Sequence, residues 1–322
     1  MNPICKLLDI TYPIIQGGMG NISNAPLAAA VSEVGGLGTI GCGTMSPDEV
    51  EEIILETKSL TNQPFAINIA INVTPFIDQL VELVLKHQIP VVTLSAGNPA
   101  AYIPIFHEHD IKVLTVVASV KHAKKAEKAG ADAVVAEGFE AAGINSNYEL
   151  TTFTLIPQVS QHVTIPVLAA GGIGDGKGLA AALMLGASGV QLGTRLIATK
   201  ESPFHDVYKQ QLIESEGTQT AIIGRSLGQM RRVLNTAYAK KIHDLEKSGM
   251  TLEEYRTLTS ETHHRKGALS GDLEGGFLNA GQVTGLITNV ISVKELLDGM
   301  VYDANEQMHR TTGLLDTQSN PT

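Results

Sequence analysis

The chain of 322 residues is long enough to bury a substantial core, as one large α/β domain or as two smaller ones. Its 43% hydrophobic and 17% charged residues read as globular. A formal net charge of -10 excludes a nucleic-acid or anionic-membrane surface, because counterion release needs clustered Lys and Arg, and leaves a small molecule as the expected partner.

In chain order, short apolar runs alternate with stretches of helical periodicity. They are "PIIQGG" (13 to 18), "LGTIGC" (37 to 42), "FAINIAI" (65 to 71), "VVTLSAG" (91 to 97), "KVLTVVAS" (112 to 119), "AVVAEG" (133 to 138), "PVLAAGG" (166 to 172) and "GVQLGTR" (189 to 195). Near-continuous apolar character fits strands buried on both faces, and the alternation with helices fits a parallel sheet. Eight such units predict a closed (β/α)8 TIM barrel. Gly35, Gly130 and Gly186 stand where helices need a left-handed terminator, and Ser46-Pro47 reads as an N-cap followed by proline in the first turn. "KHAKKAEKAG" reads as a helix with a solvated basic face.

After Arg195 the pattern changes. Residues 200 to 265 are rich in Lys, Glu, Gln and Arg and read as strand-free helix beside the barrel mouth, and 200 to 275 as a helical lid or substrate subdomain. A separate regulatory domain is the alternative. Residues 1 to 199 form the expected barrel, and 276 to 322 the closing barrel helices and C-terminal tail. No basic-then-apolar leader and no membrane-length apolar run is present, and Cys5 and Cys42 are too few for a disulfide framework or a four-cysteine metal site, so the expectation is a cytoplasmic protein. The ten histidines show no zinc spacing, and no metal is expected.

In a barrel of this kind, chemistry gathers at the C-terminal ends of the strands. Those ends are glycine-rich and carry small polar groups: "QGGMG" at 16 to 20, Asn68, "SAGN" at 95 to 98, "EGFEAAG" at 137 to 143, "AAGGIGDG" at 169 to 176 and "QLGTR" at 191 to 195. Gly171-Gly172-Ile173 before a helix near Asp175, beside Gly193-Thr194 on the next strand, would expose backbone N–H groups to a phosphate. The plainer alternative is that these glycines only allow tight turns. Gln16, Asn68 and Gln191 are amides that suit the heteroatom edge of an isoalloxazine or a nucleobase, or else a neighbouring loop. Glu137 suits a ribityl hydroxyl or an ion pair within the rim.

Taken together, "YPIIQGGMG", "VGGLGTIG", "FAINI", "SAGNP", "GADAVVAEG", "VLAAGGIGDG", "QLGTRLIATKES" and "GDLEGGFLNAGQVTGLI" resemble the flavoprotein family of nitronate monooxygenases and enoyl-acyl-carrier-protein reductase II, from about Leu8 to Leu297. The resemblance implies an FMN-bearing TIM barrel under a helical second domain. It implies that Gln16, Gly17, Gly18 and Met19 pack against the isoalloxazine and that Asn68 hydrogen-bonds it. Gly171, Gly172, Gly193 and Thr194 would hold the phosphate, with Gln191 near the ring. NADH or NADPH would be the reductant in a reductase, and a homodimer is the default assembly.

One loop departs from the pattern. Where the family carries Glu-(apolar)-Glu-Ala-Gly-Gly-His, this chain reads "EGFEAAGINSNYELTT" from 137, with Ala142 for a glycine and Ile144 for the histidine that handles protons. Asn145 and Tyr148 are the substitutes within the loop, the first as a hydrogen-bond donor and the second as a general acid. Glu140, His263 and His264 are further candidates, and a structural role competes for each. Arg225 with "GQMRRVLN" suits either the phosphates of a nicotinamide cofactor or acyl carrier, or a solvated helix face. The expected function is FMN-dependent oxidation of a small nitronate-like substrate. The rivals are an NAD(P)H-dependent enoyl-thioester reductase, a non-catalytic FMN-binding sensor or partner module, and a flavin-free phosphosugar isomerase or lyase.

Overall fold

The computed structural model describes residues 2–312 and 314. Every one of the eight apolar runs forms a strand, at Ile14–Gln16 (β1), Gly38–Gly41 (β2), Phe65–Ala70 (β3), Val91–Ser95 (β4), Lys112–Val117 (β5), Ala133–Glu137 (β6), Val167–Ala170 (β8) and Gly189–Leu192 (β9). The short β7, Gly143–Ile144, belongs to another sheet. All pairings among the eight are parallel, in the order β1-β9-β8-β6-β5-β4-β3-β2. The ring closes between its two ends, where Leu37 N–H donates to Ile14 O at 3.0 Å and Gln16 N–H to Leu37 O at 2.9 Å. This is the (β/α)8 barrel expected from the alternation of runs.

Alternate residues of the strands divide the core in two. Ile15, Leu37, Val91, Leu114, Val135 and Leu168 fill the inside of the barrel, and the opposite parity packs against the surrounding helices. A helix over Pro3–Leu8, unforeseen in the sequence reading, closes the barrel floor with Ile4, Cys5 and Leu8. Asn2 fixes it: the side-chain oxygen accepts from Ile4 N–H at 2.9 Å, and the amide donates to Ser188 O at 2.8 Å. The floor is therefore solid. The helix signals are as expected. Ser46 and Glu49 form a reciprocal cap on Pro47–Leu60, and Gly35, Gly130 and Gly186 all have φ near +100°.

The excursion is not strand-free, which corrects the expectation for residues 200 to 265. Thr220–Ile223 (β10) and Arg231–Leu234 (β11) pair antiparallel, and β11 also pairs with β7, the segment that carries Ile144. The runs "TAII" and "RRVL" span four residues each, too short to stand out in a charged context. Their stability comes from distant partners: Arg232 Nε donates to Phe139 O at 3.0 Å, Nη1 donates to Thr220 Oγ1 at 3.0 Å, and the guanidinium lies 4.8 Å from the centroid of the Phe139 ring. Helices over Ala237–Lys247, Leu252–Leu258 and Glu261–Ser270 complete the lid. The expected closing helices are also corrected. Past residue 276 the described chain runs through an irregular segment and a 3-10 turn, Gln282–Leu286, to the single helix Val293–Thr312, which packs on the helix Gly176–Met184. Most of the C-terminal tail, 315 to 322, lies outside the described residues.

Candidate active site

The strand ends and the lid enclose a cavity of about 1110 Å3. Gly17, Gly18, Met19, Asn68, Glu137, Gly171, Gly172, Ile173, Gln191, Gly193 and Thr194 all line it, and Asn145 lies at its edge. Two expected residues do not. Gln16 is wholly buried beneath the rim, with Oε1 accepting from Thr39 N–H at 3.4 Å. Tyr148 stands on the outer side of its loop, 54% exposed and tilted against His122.

The barrel rim holds its amides by close approach. A Cβ at Gly18 would sit 2.4 Å from Asn68 Oδ1, so only glycine lets that side chain stand there. Asn68 Nδ2 donates to Thr93 O at 3.1 Å and to Ser95 Oγ at 3.2 Å, which fixes the plane of the amide. Glu137 ends β6 facing the cavity, and burial pushes its pKa up to about 7. A carboxyl raised in this way favours the folded state fully below its ordinary pKa, and the advantage is lost as pH rises from about 4.5 to about 7. Glu137→Gln is therefore expected to stabilise the ligand-free protein above pH 7, by up to about 3 kcal/mol, and to leave it unchanged near pH 4. Urea melts at the two pH values measure this, and equal effects at both would refute it.

The corner expected to hold a phosphate lies between β8 and β9. Gly171 and Gly172 have φ of +98° and +74°, which turns the chain sharply before Asp175 caps the next helix by accepting from Gly178 N–H at 2.8 Å. Among the described residues, the N–H groups of Gly172, Ile173 and Gly193 donate to no backbone or side-chain acceptor. A Cβ at Gly193 would meet nothing within 4 Å. The corner thus combines unpaired donors with open space, as an anion site requires. The Thr194 hydroxyl oxygen accepts from Gly281 N–H at 2.9 Å, tying the returning chain to the rim, and donates to no acceptor among the described residues.

In the loop after β6 the candidate groups that line the cavity, Asn145 and Glu140, are engaged within the loop and its neighbours. Both donors of Asn145 go to its own loop, to Ala141 O at 2.9 Å and Gly143 O at 3.1 Å. Glu140 accepts from Thr152 N–H at 2.9 Å and from Thr152 Oγ1 at 3.0 Å. Ile144 is half exposed at the cavity edge. His263 turns away, stacked on Tyr238 and bonded to Ser260.

The excursion brings a histidine to the cavity. His264 is 2% exposed yet lines the cavity, with Nδ1 3.4 Å from Glu261 Oε2 and Nε2 3.1 Å from Asn279 Nδ2. Burial raises the pKa of the Glu261 carboxyl, but the hydrogen bond from His264 and the Arg231 charge outweigh it and hold the group below its ordinary value. The imidazole stacks on Phe277 at 5.1 Å, and the Arg231 guanidinium lies 5.0 Å from the same ring centre. Arg231 Nη1 donates to Asn279 Oδ1 at 3.3 Å. Asn279, Glu261 and the cavity-facing role of Arg231 were not foreseen. The sequence leaves the arginine pair open between ligand phosphates and a solvated helix face, and the structure puts it on a strand with both residues buried. Arg225 is exposed and pairs with Glu149.

Among the described residues, no helix is long and apolar enough to cross a membrane, and no group of three or more His, Cys, Asp or Glu side chains is placed to hold a metal ion. A model of the nitronate monooxygenase family matches residues 2–79 and 70–303. Among curated proteins, a 5-hydroxy-7a-methyl-1-oxo-octahydro-1H-indene-4-carboxyl-CoA dehydrogenase of Mycobacterium tuberculosis is 30% identical, over 98% of this chain and 99% of its own. A probable nitronate monooxygenase of Staphylococcus saprophyticus is 31% identical, over 95% and 98%. Among solved structures, FabK from Thermotoga maritima is 42% identical with a TM-score of 0.93, over 98% of this chain and 99% of that one. A nitroalkane oxidase from Streptomyces ansochromogenes is 25% identical with a TM-score of 0.85, over 96% and 100%. This chain is an oxidoreductase that belongs to the nitronate monooxygenase family.

Proposed function

We propose that the cavity binds FMN, with the phosphate at the Gly172, Ile173 and Gly193 N–H groups and the ring against Gly17, Gly18, Met19, Asn68 and Gln191. The observation that carries this reading is the set of unpaired donors around open space at Gly193. Bound FMN supplies two-electron transfer. Residues 1 to 199 act as the cofactor barrel and 200 to 275 as the lid. The free, buried thiols of Cys5 and Cys42 suit a reducing compartment such as the cytoplasm.

For the substrate, an acyl thioester reduced at the expense of NADH or NADPH is the better supported of the two family chemistries, ahead of the nitronate favoured by sequence alone. The cavity exceeds the roughly 300–1,000 Å3 of an ordinary ligand site, leaving room beside a cofactor. It extends past Asn98 and Ala100 to His122, Lys125 and Lys128, a basic mouth suited to the phosphates of a thioester carrier. Similarity to a carboxyl-CoA dehydrogenase and to FabK points the same way. The nitronate reading keeps one observation in its favour: Ile144 offers no base, and a substrate that is already an anion needs none. Anaerobic mixing of the flavin-loaded protein with NADH, NADPH or an alkyl nitronate tests the choice. Bleaching by a reduced nicotinamide is the expected result, and bleaching by the nitronate alone would reverse the assignment.

A further inference from the structure

The hydrogen bonds around Asn279 determine which way its amide points. Arginine has donors and no acceptor, so the atom facing Arg231 Nη1 at 3.3 Å is the amide oxygen. The amide nitrogen then faces His264 Nε2 at 3.1 Å and donates to it, which requires an unprotonated Nε2 and puts the ring proton on Nδ1, toward Glu261 Oε2 at 3.4 Å. Each member of the series fixes the next. Among the described residues, one Nδ2 hydrogen is left without a protein acceptor, on a residue that lines the cavity.

Its position matches the gap in the loop. A Cβ built on Gly143 would lie 3.8 Å from the Asn279 amide carbon, so this side chain abuts the segment where Ile144 stands. The backbone of Asn279 is held as well, because its carbonyl accepts from the buried Tyr208 hydroxyl and the residue bridges to Val233 of the lid sheet. Arg231, 9% exposed, places positive charge behind the amide. An amide with fixed orientation, backed by a guanidinium and open to a cavity, is a donor for an oxygen that gains negative charge during reaction.

We propose that Asn279 donates its free amide N–H to the substrate oxygen conjugated to the reacting carbon, the thioester carbonyl or the nitronate oxygen, with His264, Glu261 and Arg231 as its positioning residues. This rests on the FMN reading above, since that oxygen is defined by a reaction at the flavin. The charge that develops on the oxygen is thereby met from the lid, and the loop around Ile144 carries no polar role in the step.

Nitrogen NMR of the labelled, FMN-loaded protein tests this without turnover. The His264 ring is expected as the Nδ1–H tautomer. Crotonyl-CoA is added to the oxidised protein without nicotinamide, and ethyl nitronate to photoreduced, oxygen-free protein, so that neither reacts. One of these probes is expected to shift a single Asn279 amide proton saturably, and which one does so identifies the source of the oxygen. Asn279→Leu is expected to weaken that probe by ~10-fold, His264→Ala by several-fold, and His264→Gln, whose side-chain oxygen can accept from Asn279, to restore most of the loss. FMN affinity, measured separately, is expected to stay within about two-fold in all three, since the phosphate corner is untouched. The proposal is overturned if neither probe moves the Asn279 resonance, or if Asn279→Leu binds the probe as tightly as the parent. A parent protein that takes up no FMN defeats the cofactor reading instead and removes this inference with it.

Discussion

Replacing Gly193 by leucine is expected to weaken FMN binding by ~100-fold or more, since it blocks charge-assisted hydrogen bonds to a phosphate worth about 1.5–3 kcal/mol each. The same substitution is expected to change the stability of the ligand-free protein by less than about 1 kcal/mol, as for a site where no packing is disturbed. The asymmetry follows from geometry: a Cβ at this position meets no atom within 4 Å and φ is -119°, so the added side chain enters the cavity rather than the core. Equilibrium titration of FMN into stripped protein, paired with urea melts, separates the two effects. Undiminished affinity would move the phosphate away from this corner.

Gly38→Ala is expected to act in the opposite way, on the fold itself. Its Cβ would lie 1.9 Å from Ala28 O and 2.6 Å from Ala28 C, backbone atoms of the helix Ala25–Glu33 that cannot step aside as a side chain can. The helix would have to shift against β2 next to the seam where β1 and β2 close the ring. A loss of ~3 kcal/mol or more follows, lowering the melting temperature by on the order of 10 °C. Thermal melts of the two glycine variants side by side read the contrast. A Gly38→Ala protein that melts with the parent would show that helix and strand do not approach so closely.

These two glycines also mark how far the sequence could be read. The barrel strands are legible because burial on both faces makes each an unbroken apolar run, and the glycine corner proposed for the phosphate is marked by glycine turns on adjacent strands. The lid sheet is not legible. Arg231 and Arg232 look like solvated residues until Phe139 and Phe277, nearly fifty to a hundred positions away, give them rings to lie against. The adjacent residues His263 and His264 are indistinguishable in sequence, and only the packing of the helix Glu261–Ser270 over Gly20–Ile22 turns one to the cavity and the other away. Asn279 sits inside a motif that marks the family, yet its role depends on three partners from separate lid segments. Gln16 does not line the cavity for a local reason: it is wholly buried, with Oε1 accepting from Thr39 N–H beneath the rim and Nε2 without a partner among the described residues.

The most direct measurement is difference electron density from crystals grown with FMN. The phosphorus atom is expected between β8 and β9, its oxygens within hydrogen-bonding distance of the Gly172, Ile173 and Gly193 nitrogens. Density for the phosphate anywhere else in the cavity, or a cavity still empty at saturating FMN, would contradict it.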